Sequence, residues 1–286
     1  MLATASRVER WLLVEQCGAW GPPAVPLARM DADLGRHLTA EAARGGARLL
    51  LLRHPPGITC PPGREVFVVD SRPGHEQVLR RRFDDDGELI ATELPLGEPS
   101  VAGWEPFVEP LLLVCTHGRH DRCCAVRGRP VAEALSRRWP GRTWECTHIG
   151  GDRFAANLVV LPEGHYVARL DPTEAVDAVT LLGAGRLPVS HLRGRSSLPL
   201  PVQAAQHFAR TQLDRDGAGD LRLSGQSGAG ADGWLVRLAG ADGLPDVEVQ
   251  VHYDRHALEP ARLTCGAEEA KTAPQFTCVD LRTLVP

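Results

Sequence analysis

A pattern of strands and helices occurs twice in the first 186 residues, and it constrains the fold more than any other feature of the sequence. Trp11–Val14 and Leu111–Val114 are short apolar runs that each lead into a glycine-containing loop, as buried strands do. In both places a helical segment follows, and further strands come after it. The two starting runs are 100 residues apart. This repetition predicts two α/β units in tandem.

The predicted elements of the two repeats are as follows. The first repeat continues with a helix over 27–43 and strands over 47–54, 65–69 and 89–92. The second continues with a helix over 129–139, opened by Pro130, strands over 142–148, 156–161 and 165–169, and a closing helix over 172–182. The order predicts thioredoxin-like units over residues 1–104 and 105–186.

Residues 187–286 differ in pattern and predict a small α+β unit. A helix over 201–213 precedes short alternating runs at 221–223, 234–238, 247–253, 262–265 and 276–281. These runs predict an antiparallel meander. The string Gly228–Gly233 resembles a dinucleotide-binding fingerprint, but a strand and not a helix follows it, so we interpret it as a hairpin loop. The stretch 193–197 is interpreted as a solvated turn.

Charge, apolar runs and cysteine content limit the function classes. The net charge is −4 and the pI about 6.3, which does not favour binding to nucleic acid. The sequence has no apolar run long enough for membrane insertion and no visible secretory signal, so a reducing cytoplasm is the expected compartment. In that compartment eight cysteines favour metal or redox chemistry over a disulfide framework.

Cys115 and one of Cys123 and Cys124 are predicted metal ligands. They lie in a polar loop whose arginines and histidines lower the pKa of a thiol, and the thiolate is the form that binds metals. The same loop also admits a thiol redox enzyme, with Cys123 or Cys124 as nucleophile activated by His117 or His120.

A second segment, His148–Asp152, carries an imidazole and a carboxylate with two glycines among the three residues between them. The glycines let the backbone turn so that both side chains point to the same place. Combined with the cysteine loop, this segment predicts a metal or iron–sulfur site. A structural zinc site is an alternative, because two thiolates, an imidazole and a carboxylate also suit Zn²⁺. Arg153 and Asn157 are candidates for outer hydrogen bonds.

These segments carry a family resemblance. Residues 111–125, 128–131 and 148–162 resemble the sucrase/ferredoxin-like family, which includes the yeast actin-patches-distal proteins, and the likeness is specific over about 105–172. It implies a thioredoxin-like ferredoxin domain whose [2Fe–2S] cluster is held by two cysteines nine apart and two histidines four apart. Cys115, Cys124 and His148 match this motif, and Asp152 stands where the yeast proteins have the second histidine.

The resemblance therefore predicts an electron-transfer protein with Cys115, Cys124, His148 and Asp152 as cluster ligands. Cys146 and Cys123 are alternatives for the fourth position. The redox partner is an unidentified protein. The first repeat is expected to be a degenerate structural copy, because Cys17 lacks a second cysteine at the right spacing.

Overall fold

A computed structural model describes residues 1–25, 28–58, 60, 62–99 and 101–284. The chain is a mixed α/β protein with one large and one small sheet. Within the described ranges, no helix has the length and apolar character needed to cross a bilayer.

The first repeat forms a strand–helix–strand unit with an antiparallel extension. Its elements are β1 (Arg10–Glu15), α1 (Ala32–Arg44), β2 (Ala47–Arg53), β3 (Arg64–Asp70), β4 (Gln77–Phe83), α2 (Asp86–Ala91) and β5 (Glu105–Pro106). β1 pairs in parallel with β2 on one side and antiparallel with β3 on the other. β4 and β5 continue the sheet beyond β3.

The second repeat has the same arrangement of its strands. Its elements are β6 (Leu111–Cys115), α3 (Arg122–Arg138), β7 (Thr143–Cys146), β8 (Asn157–Leu161), β9 (His165–Ala168) and α4 (Pro172–Gly183). β6 pairs in parallel with β7 and antiparallel with β8, and β9 lies beyond β8. A capping box between Asp171 and Glu174 fixes the start of α4.

The sequence pattern predicts two units in tandem, and in the structure both repeats contribute their strands to a single ten-stranded sheet. The order is β10-β9-β8-β6-β7-β2-β1-β3-β4-β5. The repeats meet where β2 and β7 run antiparallel, with Leu52 opposite Cys146 and Arg53 opposite Glu145. Because this contact joins the carboxyl ends of the two strands, the loops that follow them meet near the middle of the sheet.

The inner face of the sheet forms one core that both repeats share. The rings of Trp11 and Tyr166 are 6.3 Å apart, and those of Phe67 and Trp144 are 5.7 Å apart. These residues come from strands that are not neighbours in the sheet, so the sheet curls until its inner face packs against itself. The outer face is covered by α1 and α2 in the first repeat and by α3 and α4 in the second.

The third segment is partly built into the large sheet. Its elements are β10 (Leu192–Arg195), α5 (Leu200–Leu213), β11 (Leu221–Gly228), β12 (Gly233–Gly240), β13 (Asp246–Asp254) and β14 (Gln275–Leu284). β10 pairs with β9, whereas β11 to β14 form a separate antiparallel sheet in chain order. This confirms the predicted helix and meander, and it places the glycine string in the loop between β11 and β12.

Four predicted elements differ from the structure. Residues 89–91 are the end of α2 and Thr92 is its C-cap, so they form no strand, and the fourth strand of the first repeat is β4. The helix after the cysteine loop begins at Arg122, so that Pro130 lies inside it. Residues 262–265 form no strand; a single bridge joins Ala261 to Lys271 nearby. α1 begins at Ala32, and residue 27 lies outside the described residues.

Candidate metal centre

The first ligand position is the end of strand β6. Leu111, Leu113 and Cys115 face the inner core, alternating with residues that face the helices. β6 and β7 are parallel neighbours, with Cys115 opposite Cys146. The loops that leave these strands therefore start side by side at the edge of the sheet that the carboxyl ends of β6 and β7 form.

The start of α3 brings a second cysteine to this edge. The Asp121 carboxylate caps the helix, because its Oδ1 accepts a hydrogen bond from the Cys123 backbone N–H at 2.8 Å. Cys124 then lies in the first turn, and like Cys115 it is only 1 % exposed. At Gly128, one turn further on, an added Cβ would overlap the carbonyl oxygen of Cys115. The missing side chain lets the helix pack closely against the end of β6.

The loop between β7 and β8 carries the imidazole and the carboxylate. Gly150 and Gly151 have φ angles of +93° and +84°, which glycine adopts without strain. The first repeat supports this loop, because Arg48 Nη2 of β2 donates to the His148 carbonyl oxygen at 2.8 Å. Asn157 Nδ2 donates to the Gly151 carbonyl oxygen at 2.9 Å, so its bond goes to the backbone of the loop and not to a ligand side chain.

Arg193 holds the same loop from the side of the third segment. Its Nη1 donates to the Gly150 carbonyl and to Asn157 Oδ1, both at 2.8 Å, and its Nε donates to Thr4 Oγ1 at 3.1 Å. Burial lowers the pKa of this guanidinium to about 10, so it stays charged at neutral pH. The interpretation of 193–197 as a solvated turn is wrong, since Arg193 is buried.

Three of the predicted ligands come together between the two loops. The Sγ atoms of Cys115 and Cys124 and a ring nitrogen of His148 lie within 4.8 Å of one another. A hydrogen bond from Cys124 holds the pKa of the Cys115 thiol well below its usual value; burial opposes this shift, and a hydrogen bond from His148 adds to it. The same pairing, together with burial, raises the pKa of Cys124. The shift at Cys115 favours the thiolate, the form in which a cysteine binds a metal.

Asp152 lies beside this group. The Cys124 thiol donates to Asp152 Oδ1 at 3.4 Å, and His148 Nδ1 is 3.1 Å from the same oxygen. His120, which the sequence analysis considered only as an activator of the thiols, approaches from the cysteine loop. Its ring stacks on that of His148 with centroids 3.8 Å apart, and His120, His148 and Asp152 form a second group of ligand atoms within 4.8 Å.

The alternative fourth ligands are placed differently. Cys146 faces the same core as Cys115, but it belongs to no such group of ligand atoms in the described part of the chain. Burial raises the pKa of its thiol well above the usual value. Cys123 forms a disulfide with Cys265, so it offers neither a free thiolate to a metal nor a nucleophile to a substrate.

A second disulfide joins Cys17 to Cys60 in the first repeat. The expectation that the cysteines would not form disulfides is therefore wrong for four of the eight. Cys115, Cys124, Cys146 and Cys278 are free, and only Cys278 of these is exposed.

Two adjoining loops of a mixed sheet thus bring cysteine and histidine side chains together, and this arrangement is a candidate metal centre. The sequence matches the family model described as sucrase/ferredoxin-like over residues 51–194, about half of the chain. The chain belongs to the sucrase/ferredoxin-like family, and the family resemblance is thereby confirmed. The matched region begins in β2 and ends in β10, so it includes both ligand loops. No curated protein and no solved structure matches the chain.

Proposed function

We propose that this protein binds a [2Fe–2S] cluster and transfers single electrons between protein partners. The observation that carries the proposal is the convergence of Cys115, Cys124 and His148 within 4.8 Å. Cysteines at the two positions would hold one iron, and His148 with a donor beside it would hold the other. The sequence prediction gives this fourth position to Asp152, which lies 3.1 Å from His148.

The chemistry of the donors fits such a group. Thiolates bind the irons of iron–sulfur clusters, and imidazole replaces thiolate on one iron in Rieske centres. His148 Nδ1 is buried and has no aligned hydrogen bond among the described residues, although it lies close to the Asp152 carboxylate. An imidazole beside two thiols, with a carboxylate oxygen close to its Nδ1, is the arrangement expected of a histidine ligand.

The chain's own residues would set the direction and the potential of electron transfer. Both cysteines are only 1 % exposed, whereas the His148 side chain is 22 % exposed, so a partner approaches the site from the histidine side. Neutral imidazole in place of thiolate makes reduction easier. We expect a potential between about −400 mV for all-cysteine clusters and the range of about −150 to +300 mV for two-histidine clusters.

The repeats support a second structural inference. Each has a parallel strand–helix–strand pair followed by two antiparallel strands, with its strands in the order β2-β1-β3-β4 or β7-β6-β8-β9. We infer two thioredoxin-like units over 1–104 and 105–186, followed by a third unit over 187–286. In this arrangement the first unit supports the second through Arg48.

Zinc is the principal rival for the same ligands, because two thiolates, an imidazole and a carboxylate also satisfy tetrahedral Zn²⁺. A thiol enzyme draws less support, since Cys123 is in a disulfide and Cys124 is buried. The proposal does not depend on either disulfide, because none of the four cysteines in them is a proposed ligand. It therefore holds equally in the reducing cytoplasm expected from the sequence.

Anaerobic purification followed by visible and EPR spectroscopy tests the proposal. A red-brown protein that bleaches on adding about one electron per chain, and recovers its colour on reoxidation, supports a [2Fe–2S] carrier. A colourless protein that contains zinc would favour the structural zinc site.

A further inference from the structure

The second group of ligand atoms, His120, His148 and Asp152, bears on which residue completes the iron site. His120 comes from the cysteine loop and His148 from the glycine loop, so this group joins both loops as the first group does. Their rings are nearly parallel, with an angle of 22° between the planes and 3.8 Å between the centroids. Two imidazoles thus stand together, and one of them, that of His148, also belongs to the group formed with the two thiols.

The Asp152 carboxylate presents one oxygen to each of these imidazoles. Oδ1 lies 3.1 Å from His148 Nδ1, and Oδ2 lies 3.7 Å from His120 Nε2. The side chain is only 7 % exposed, and these imidazoles are the basic side chains found within 4.0 Å of it among the described residues. A buried carboxylate needs such partners, because an unpaired buried charge is strongly unfavourable.

A metal-bound histidine usually donates its other ring N–H to a carboxylate, which fixes the orientation of the ring. Asp152 has the position to do this for both histidines at once, because Oδ1 faces His148 and Oδ2 faces His120. Imidazole also suits iron better than carboxylate does, since carboxylates favour harder cations.

Exposure orders the three side chains from solvent inward. The His120 side chain is 38 % exposed, that of His148 22 % and that of Asp152 7 %. His120 is therefore the side chain placed to bind the cluster from the solvent side, and the Asp152 carboxylate lies deeper in the protein than either histidine.

From this geometry we propose that His120, and not Asp152, supplies the fourth ligand, and that Asp152 orients both histidines from outside the coordination shell. The proposal rests on the proposed cluster function. In this assignment the second imidazole of the site comes from the cysteine loop. In the family motif it instead comes from the same loop as the first histidine, four residues further on.

Pulsed EPR of the reduced protein, labelled with ¹⁵N-histidine, tests the assignment by counting the nitrogens that are strongly coupled to the cluster. Wild-type protein is expected to show two coupled nitrogens, His120→Ala one, and Asp152→Asn two. His117→Asn is the matched control from the same loop and is expected to keep two, because the His117 side chain already contacts the Gly21 carbonyl oxygen.

A rescue keeps the test informative if His120→Ala loses iron. The double variant His120→Ala/Asp152→His restores the family's motif and is expected to regain iron and two coupled nitrogens. A wild-type cluster with a single coupled nitrogen that persists in His120→Ala overturns the assignment and leaves the cluster function intact. Wild-type protein without iron and sulfide removes the function itself, and the assignment with it.

Discussion

Replacing Arg193 by lysine should weaken the loop that carries His148 more than it weakens the rest of the molecule. The guanidinium donates to the Gly150 carbonyl, to Asn157 Oδ1 and to both side-chain and backbone oxygens of Thr4. A lysine ammonium is a single point donor and cannot span these acceptors. At least two hydrogen bonds from a charged donor are lost, each worth about 1.5–3 kcal/mol.

The expected loss in the free energy of unfolding is therefore about 3–6 kcal/mol, a large part of the 5–15 kcal/mol typical of a domain. Urea unfolding followed by tryptophan fluorescence measures it, and iron release is recorded in parallel. In Arg193→Lys iron should leave at lower urea than the fluorescence change.

Arg210→Lys is the matched control. This arginine is also buried, and it donates to the carbonyl oxygens of Gly217 and Ala218 in the third segment. It should lower stability while iron release and unfolding stay together. A loss below about 1 kcal/mol in Arg193→Lys, or iron release no earlier than in the control, would refute the view that Arg193 holds the ligand loop.

Three further predictions concern the packing, the pH dependence and a disulfide. Gly128→Ala should destabilise the protein and lower its iron content, because the new methyl overlaps the Cys115 carbonyl; Gly183→Ala, which meets nothing within 4 Å, should be neutral or stabilise by up to about 1 kcal/mol. Both are measured by urea midpoint and iron assay, and equal effects would contradict the packing argument. Burial lowers the pKa of His165 to about 3, so the fold favours its neutral form, and the stability it contributes is complete above about pH 6.5 and lost as the pH falls. The free energy of unfolding should therefore fall between pH 6.5 and pH 4 in wild type more steeply than in His165→Gln, and the two slopes should differ by about 1.4 kcal/mol per pH unit. Parallel curves would contradict this. Cys265→Ser opens a bridge that spans 142 residues and should cost up to about 5 kcal/mol on the chain-entropy model, yet iron content should stay unchanged because neither half of the bridge is a proposed ligand.

The sequence anticipates the convergence of the two loops for a physical reason. Cys115 ends one strand and His148 follows the next, and loops that leave adjacent parallel strands emerge at the same edge. The alternation of apolar residues in β6 also places Cys115 on the inner face. Local pattern and connectivity were enough for this part of the site.

The errors in predicted elements come from signals that conflict locally. The consecutive arginines Arg80, Arg81 and Arg82 conceal strand β4, because they pair with carboxylates such as Glu105 and Glu88 instead of alternating with apolar residues. Pro130 favours a helix start, although Asp121 is the residue that caps α3.

Tertiary contacts over long sequence distances could not be predicted. Arg193 is more than 40 residues from the glycine loop that it binds, and nothing in its neighbourhood distinguishes it from a solvated arginine. Cys123 and Cys265 are 142 residues apart, and a reducing cytoplasm disfavours their pairing. The position of His120 beside the site depends on the stacking of its ring on His148, a contact between two loops that the sequence does not indicate.

The cluster itself is tested most directly by the metal and sulfide content of anaerobically purified protein, compared between wild type, Cys124→Ser and Cys278→Ser. Cys278 is a free cysteine but exposed, which makes it the matched control. The account predicts iron and acid-labile sulfide in equal amounts, about two of each per chain, in wild type and Cys278→Ser, and a large loss of both in Cys124→Ser. Zinc without sulfide in the wild type, or an undiminished iron content in Cys124→Ser, would contradict it.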